Sequence, residues 1–467
     1  MTRLPCPVSL AARRFTTRIA VQTSTGGKSF LELDRDVTLA RQQFVELGIT
    51  AGERVVIQAE NSYRLICAVW ALFRIRAVTC LINPRWPELA VENATKSVDA
   101  KFVFSELKTP TSDLSTPDAA MIGNEELSRA TVDDRVFATI VFSSGSTGSP
   151  KAIVHDLKAH LANAEGANEN LPLVPGNRWL LSLPLCHVAG YGILFRCIVA
   201  GATVILARPN RRLSQLLTDD RISHVSVVPA QFRQLDTSLV MPAASLRAVL
   251  LGGNAWSSRQ VLAAVERGWP IYTTYGLSEM ASQVTTSPDP VCRETVGKAG
   301  TLLSRRQLKI ADDNEILVRG ESLFRGYLVN HSVNLPVDSE GWFRTGDRGE
   351  VDGAGCLKVL GRKDLMFISG GENIYPEEIE YWLQELPDIQ SAVVVSVPHP
   401  TFGCRPIAFV AAEQQQPEVW RRLLEKSLPK FKVPDQFYQW PTVCRRDAKP
   451  DRRQLADLAV ELFAAES

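Results

Sequence analysis

Short apolar runs of strand length recur along most of this chain, separated by segments with helical spacing. That alternation confines it to α/β sheet architecture. Asp34 to Leu47 has the spacing of an amphipathic helix, "ERVVIQAE" is a short apolar strand, and "CAVWALFRIRAV" has the unbroken apolarity of a buried helix. "AKFVFSE" reads as the next strand. Residues 107 to 136 are polar, carry Pro110 and Pro117, and are expected to form a surface excursion. Further strand-like runs follow in "ATVILA", "HVSVVPA", "AVLLGG" and "PIYTTYG", each ending near a candidate loop. Open α/β sheets gather ligands where their strands end, so the functional site is expected in this part of the chain.

The pattern changes around "LGRKDLMFISGGENIYPEEIE". "PEEIEYWLQEL" begins with Pro376 at a first helical position and acids in the first turn, and Ile379, Trp382, Leu383 and Leu386 share one face. "SAVVVSVP" and "PIAFVAAE" read as strands. "DRRQLADLAVELF" places Leu455, Leu458, Ala459, Leu462 and Phe463 on one helical face. The expected organisation is therefore a large N-terminal domain of layered α/β sheets over residues 1–363, joined near Asp364 to a small α+β domain over residues 364–467.

The 467 residues carry 45% hydrophobic and 22% charged side chains and a net charge of +1, so no global field draws the chain to nucleic acid or an anionic membrane. No apolar run reaches the ~20 residues that span a bilayer. Arg13, Arg14 and Arg18 break up any signal-peptide core. Nine cysteines stand singly, without a CxxC pair, which favours reduced thiols in the cytoplasm over a disulfide framework or a zinc site.

"TIVFSSGSTGSPKAIVH" then poses the chemical question. An apolar strand runs into Ser143, Ser144, Gly145, Ser146, Thr147, Gly148 and Ser149, closed by Pro150 and Lys151. Such a loop lets backbone N–H groups approach an anion closely, and Lys151 adds a point charge. It is not a P-loop, because Pro150 precedes the lysine and Ala152 follows it. Taken alone, the stretch fits a mobile surface loop as well as a phosphate cradle. Other segments bear on the choice. "TTYGLSEMAS" sets Tyr275, Ser278 and Glu279 just after a strand. A glutamate there is ordinarily solvated, but beside a triphosphate it suits Mg²⁺, which takes one or two carboxylates plus phosphate oxygens. "WFRTGDRGEV" offers Asp347, either a turn residue or a carboxylate for two ribose hydroxyls, and Arg362 and Asp364 follow in "GRKDL".

These segments, in this order and over nearly the whole chain, strongly resemble the adenylate-forming superfamily of acyl-CoA synthetases, luciferases and nonribosomal peptide adenylation domains. The resemblance implies that Ser143, Ser144, Gly145, Ser146, Thr147, Gly148 and Lys151 belong to a loop holding the β- and γ-phosphates of ATP. Gly252, Gly253 and Asn254 in "LLGGNA", with Thr274, Tyr275 and Gly276, would border the adenine. Ser278 stands where the family usually has threonine, and its hydroxyl would reach the α-phosphate. Glu279 would be the Mg²⁺ carboxylate, Asp347 and Arg362 would hold the ribose, and Asp364 would be the hinge about which the small domain turns. "AKPDRRQL" resembles the family's GKIxRRxL, which makes Lys449 the catalytic lysine, although Ala448 and Pro450 replace the usual glycine and aliphatic residue. Pro450 biases Lys449 towards an extended backbone, which suits a lysine reaching into another domain.

The middle of the chain narrows the resemblance. "RWLLSLPLCHVAGYGILFR" is similar to the o-succinylbenzoate–CoA ligase branch of that superfamily, which serves menaquinone biosynthesis. The implied reactants are an aromatic dicarboxylic acid, ATP with Mg²⁺, and CoA. His187 is expected as a wall of the acyl pocket. Arg196 is a candidate partner for the carboxylate that is not activated, against a plain helix-surface arginine. Three other readings stay open: a CoA ligase for another aryl or medium-chain acid, an enzyme loading a carrier-protein thiol, and a nucleotide-binding sensor without catalysis.

Overall fold

The computed structural model describes residues 3–105, 131–133, 136–143, 150–207, 211–219, 221–235, 241–441 and 451–466. Two large sheets organise the N-terminal part. In the seven-stranded sheet, Arg54–Gln58 lies between Phe102–Ser105 and Val78–Ile82, which is followed outward by Phe137–Ser143, Lys151–Asp156, Gly326–Val329 and Ser332–Asn334. The nine-stranded sheet has a parallel centre of Thr203–Leu206, Arg178–Leu181, His224–Val227, Ala248–Leu251 and Ile271–Leu277. His224–Val227 and Ala248–Leu251 at its middle are buried along their whole length, as parallel strands under helices must be.

Tyr63–Ile75 and Val188–Ala200 are the helices whose sequences are apolar almost all round, and both belong to the core that joins the two sheets. Trp70 of the first meets Phe195 of the second at 4.9 Å between ring centroids. The helix expected over Asp34–Leu47 spans Phe30–Glu46 instead. It starts four residues earlier because Ser29 and Glu32 form a capping box: Ser29 Oγ accepts from Glu32 N–H at 3.2 Å, and Glu32 Oε2 accepts from Ser29 N–H at 2.7 Å. Within the excursion expected over 107–136, Thr131–Asp133 is a strand paired with Arg3–Pro5; most of the remainder lies outside the described residues.

A four-stranded antiparallel sheet of Arg306–Ile310, Glu315–Gly320, Phe343–Val351 and Leu357–Arg362 precedes the C-terminal unit. That unit holds the long hairpin of Ile389–His399 and Gly403–Ala412, flanked by the helices Pro376–Glu385, Pro417–Leu424 and Arg452–Glu466. Its two hydrophobic clusters draw only on residues from Phe367 onward, with Ile379 and Leu383 in one and Leu455 and Ala459 in the other. No helix among the described residues is long and apolar enough to cross a membrane.

Candidate active site

Strand ends from both sheets meet where Tyr327, on the Gly326–Val329 strand, contacts Glu279, just after the Ile271–Leu277 strand. Ser143 and Lys151 are Cα partners at the open end of an antiparallel pair, so the hydroxyl-rich loop is the connection of that pair. Ser144, Gly145, Ser146, Thr147 and Gly148 lie outside the described residues. Lys151 is exposed, with Nζ 5.2 Å from the centroid of the Tyr327 ring.

Gly252 and Gly253 follow the Ala248–Leu251 strand. A Cβ on Gly252 would stand 2.5 Å from Thr274 Cγ2, so the glycine lets the two strand ends meet. Asn254 is exposed beyond them. Thr274 is buried, and its hydroxyl donates to the Thr285 carbonyl at 2.6 Å, which ties it to the sheet. Gly276 lies at a bulge, where a Cβ would come within 2.1 Å of the Ser282 carbonyl oxygen. Ser278 and Glu279 sit on the one-turn 3₁₀ helix Ser278–Met280. The turn is pinned from below by Asn163, whose Nδ2 donates to the carbonyls of Met280 and Gln283, each at 3.0 Å.

Asp347 is not a turn residue. It lies within the Phe343–Val351 strand, opposite Arg362. Its carboxylate accepts from Tyr275 Oη at 2.7 Å and from Arg362 Nη1 at 3.1 Å. Burial raises its pKa, while the Tyr275 and Arg362 contacts pull it down. Arg362 also grips Asp364 through Nε and Nη2, both at 3.0 Å. Tyr275, Asp347, Arg362 and Asp364 are therefore one connected chain from the Ile271–Leu277 strand to the expected hinge. Glu279 is held by a residue the sequence analysis missed, because Tyr327 Oη donates to its Oε1 at 2.7 Å. Nothing in the local sequence marks this pair, whose members are 48 positions apart.

His187 precedes the Val188–Ala200 helix and is exposed at its N-terminal end. Arg196, further along that helix, is not a surface arginine: it is 1% exposed. Nη2 donates to Ser282 Oγ at 3.3 Å, and the guanidinium lies 5.3 Å from the Trp179 ring centroid. Among the described residues Nε has no partner and no carboxylate pairs with Arg196. Burial lowers its pKa to about 10. The nearby buried imidazole of His155 is pushed down to about 4 by the same cause, and that of His160 well below its ordinary value, so both are neutral. Ser282 and Trp179 were likewise not singled out from sequence; only contact with Arg196 reveals them.

Lys449 lies outside the described residues. Three positions on, Arg452 forms a paired contact with Glu380 at 2.6 and 2.7 Å, which fixes the start of the last helix onto the C-terminal sheet unit. Among the described residues no group of three or more His, Cys, Asp or Glu side chains could hold a metal. A single carboxylate such as Glu279 does fit Mg²⁺ that arrives with phosphate oxygens.

Residues 8–328 match the AMP-binding enzyme family, and residues 378–444 match the AMP-binding enzyme C-terminal domain. A 2-succinylbenzoate–CoA ligase of Salmonella typhimurium is 34% identical over 427 residues, covering 90% of each chain. The fold is similar to o-succinylbenzoate CoA synthetase from Bacillus subtilis in complex with the acyl-adenylate intermediate OSB-AMP, with a TM-score of 0.85, 26% identity, and coverage of 97% of this chain and 98% of that one. The same Bacillus subtilis synthetase in complex with ATP and magnesium ion gives 0.84, 26%, 97% and 100%.

Proposed function

Because the chain belongs to the AMP-binding enzyme family, we infer from its site and its relatives that it is an ATP-dependent o-succinylbenzoate–CoA ligase, acting in menaquinone biosynthesis and in the cytoplasm. In the first half-reaction a substrate carboxylate oxygen attacks the α-phosphorus of ATP, forming the acyl adenylate and releasing pyrophosphate. In the second, the CoA sulfur attacks the acyl carbon, AMP leaves with the bonding pair, and the thiol proton is released. No general base is required for the first step, because the carboxylate is already ionised at neutral pH. Catalysis there is positioning and charge neutralisation.

Asp347, with one oxygen on Tyr275 and the other on Arg362, is the ribose acceptor, and Arg362 fixes its orientation. The glycines at 252, 253 and 276 keep the adenine edge free of side chains. Ser143 to Gly148 and Lys151 surround the β- and γ-phosphates, Ser278 faces the α-phosphate, and Lys449 supplies a cation there during adenylation. Bound Mg²⁺ neutralises phosphate charge, and Glu279 is the carboxylate that holds it. Residues 1–363 form the unit with the ATP and acyl sites, and residues 364–467 turn about Asp364 between the two steps.

The observation that carries the choice of acid is Arg196. A buried guanidinium without a counter-ion is costly, and a substrate that brings a second, permanently ionised carboxylate removes that cost. His187 then forms part of the pocket wall. The experiment is thioester formation with ATP and CoA from o-succinylbenzoate, benzoate or hexanoate. Turnover is expected with the dicarboxylic acid, and a preference for either monocarboxylic acid overturns the assignment.

A further inference from the structure

Glu279 is clamped twice by one segment of chain. The Phe324 N–H donates to the Glu279 carbonyl at 2.7 Å, and Tyr327 Oη donates to the Glu279 carboxylate at 2.7 Å. The segment itself is rigid. Tyr327 lies on the Gly326–Val329 strand, paired with Lys151–Asp156 so that it sits opposite Ile153, and its ring meets buried Phe324 edge-on at 4.9 Å. Gly326 precedes it at φ 136°, where a Cβ would stand 2.4 Å from the Asn334 carbonyl oxygen, so the strand is locked against its neighbour. The same ring also carries the Lys151 ammonium, at 5.2 Å from its centroid.

We propose that Tyr327 is a positioning residue for nucleotide activation: its hydroxyl occupies Oε1 of Glu279 and turns Oε2 towards the divalent cation that accompanies ATP. The ring at the same time keeps Lys151 beside the phosphates. An unrestrained glutamate at the surface of a one-turn helix would sample several rotamers, and a metal would have to select one. The phenol makes that selection before the metal arrives, as hydrogen-bonded outer-shell partners do in metal sites generally. The proposal rests on the reading of Glu279 as the Mg²⁺ carboxylate.

Calorimetric titration of the protein with ATP, without acid or CoA, separates the two ideas. It is run once with Mg²⁺ and once with chelator, on the wild type, Tyr327→Phe, Glu279→Gln and the double variant. Tyr327→Phe keeps the ring and removes only the hydroxyl. It is expected to weaken MgATP binding by roughly tenfold or more, the usual effect of losing such a partner. Metal-free ATP binding should be unchanged, and the hydroxyl's removal should add nothing in the Glu279→Gln background. Equal weakening with and without metal, or wild-type MgATP affinity in Tyr327→Phe while Glu279→Gln has lost it, overturns this proposal alone. Wild-type MgATP affinity in Glu279→Gln overturns the Glu279 reading, and this proposal with it.

Discussion

Glu385 Oε1 accepts the backbone N–H of Ser258 at 2.9 Å, so a carboxylate from the C-terminal unit caps the Ser258–Glu266 helix of the N-terminal unit. A negative charge is favourable at that end of a helix. Arg259 completes the contact by donating from Nη2 to the carbonyls of Leu386 and Pro387, at 3.2 and 3.1 Å. The proposed rotation about Asp364 would break these bonds. Glu385→Ala removes a cap worth about 1 kcal/mol, and it should shift the balance away from this docked arrangement by roughly fivefold. Energy transfer between a dye on each unit reads that balance. An unchanged distance distribution would mean that the contact does not set it.

Arg196 gives the sharpest test of substrate choice. Arg196→Ala should harm o-succinylbenzoate far more than a monocarboxylate analogue of the same shape. A charge-assisted hydrogen bond is worth ~1.5–3 kcal/mol, or roughly ten- to a hundredfold in kcat/KM. An equal loss for both acids would make Arg196 a structural residue of its helix.

Why Arg196 could be misread from sequence, while most strands could not, has a physical reason. Arg54–Gln58 and Ala248–Leu251 are legible because a parallel strand under helices must be apolar on both faces, and that leaves a mark within five residues. "VAGYGILFRCIVA" is equally apolar on every face but for one charge, and such a helix is buried between two sheets. The surface alternative therefore failed on evidence already in the sequence. The early start of the Phe30–Glu46 helix was likewise written in Ser29-x-x-Glu32. Tyr327 on Glu279, Ser282 on Arg196 and Glu377 on the backbone of Arg362 are different. They are contacts between distant segments, and no local pattern encodes which strand ends will meet.

Glu377 supports a pH prediction. Its Oε1 accepts from the Arg362 N–H at 3.2 Å, while its Oε2 is buried without a partner among the described residues. Burial raises its pKa from 4.5 to about 6, assisted by the nearby Glu380 charge and opposed by Arg452. A carboxyl with a raised native pKa binds more protons folded than unfolded between those values. Its contribution to stability therefore falls as pH rises from about 4.5 to about 6, and is level above. Glu377→Gln keeps the acceptor and removes the titration. The variant should gain roughly 1–2 kcal/mol over the wild type above that window and nothing at its lower edge. Denaturant unfolding at a series of pH values measures the difference, and a gain that does not vary with pH would remove Glu377 as its cause.

The proposed domain motion lets variants at two positions separate the two half-reactions. Lys449 is expected in the site only while pyrophosphate leaves, where its cation orients the substrate carboxylate and neutralises charge at the α-phosphate. Lys449→Ala should cripple adenylate formation and largely spare thioester formation from a supplied acyl adenylate. Asp364→Pro should do the reverse, because proline fixes φ near about −65° and removes a backbone donor, locking the chain in one pose. Asp364 also holds the Arg362 guanidinium through two bonds, so the proline variant loses an ion pair as well as a hinge. Asp364→Ala provides the control: it breaks the same pair but leaves the backbone able to turn, so thioester formation should survive. Single-turnover assays of each step on the three variants should give a crossed pattern. If Lys449→Ala slows both steps equally, or if Asp364→Pro and Asp364→Ala behave alike in the second step, the alternation of the C-terminal unit about Asp364 does not operate in this chain.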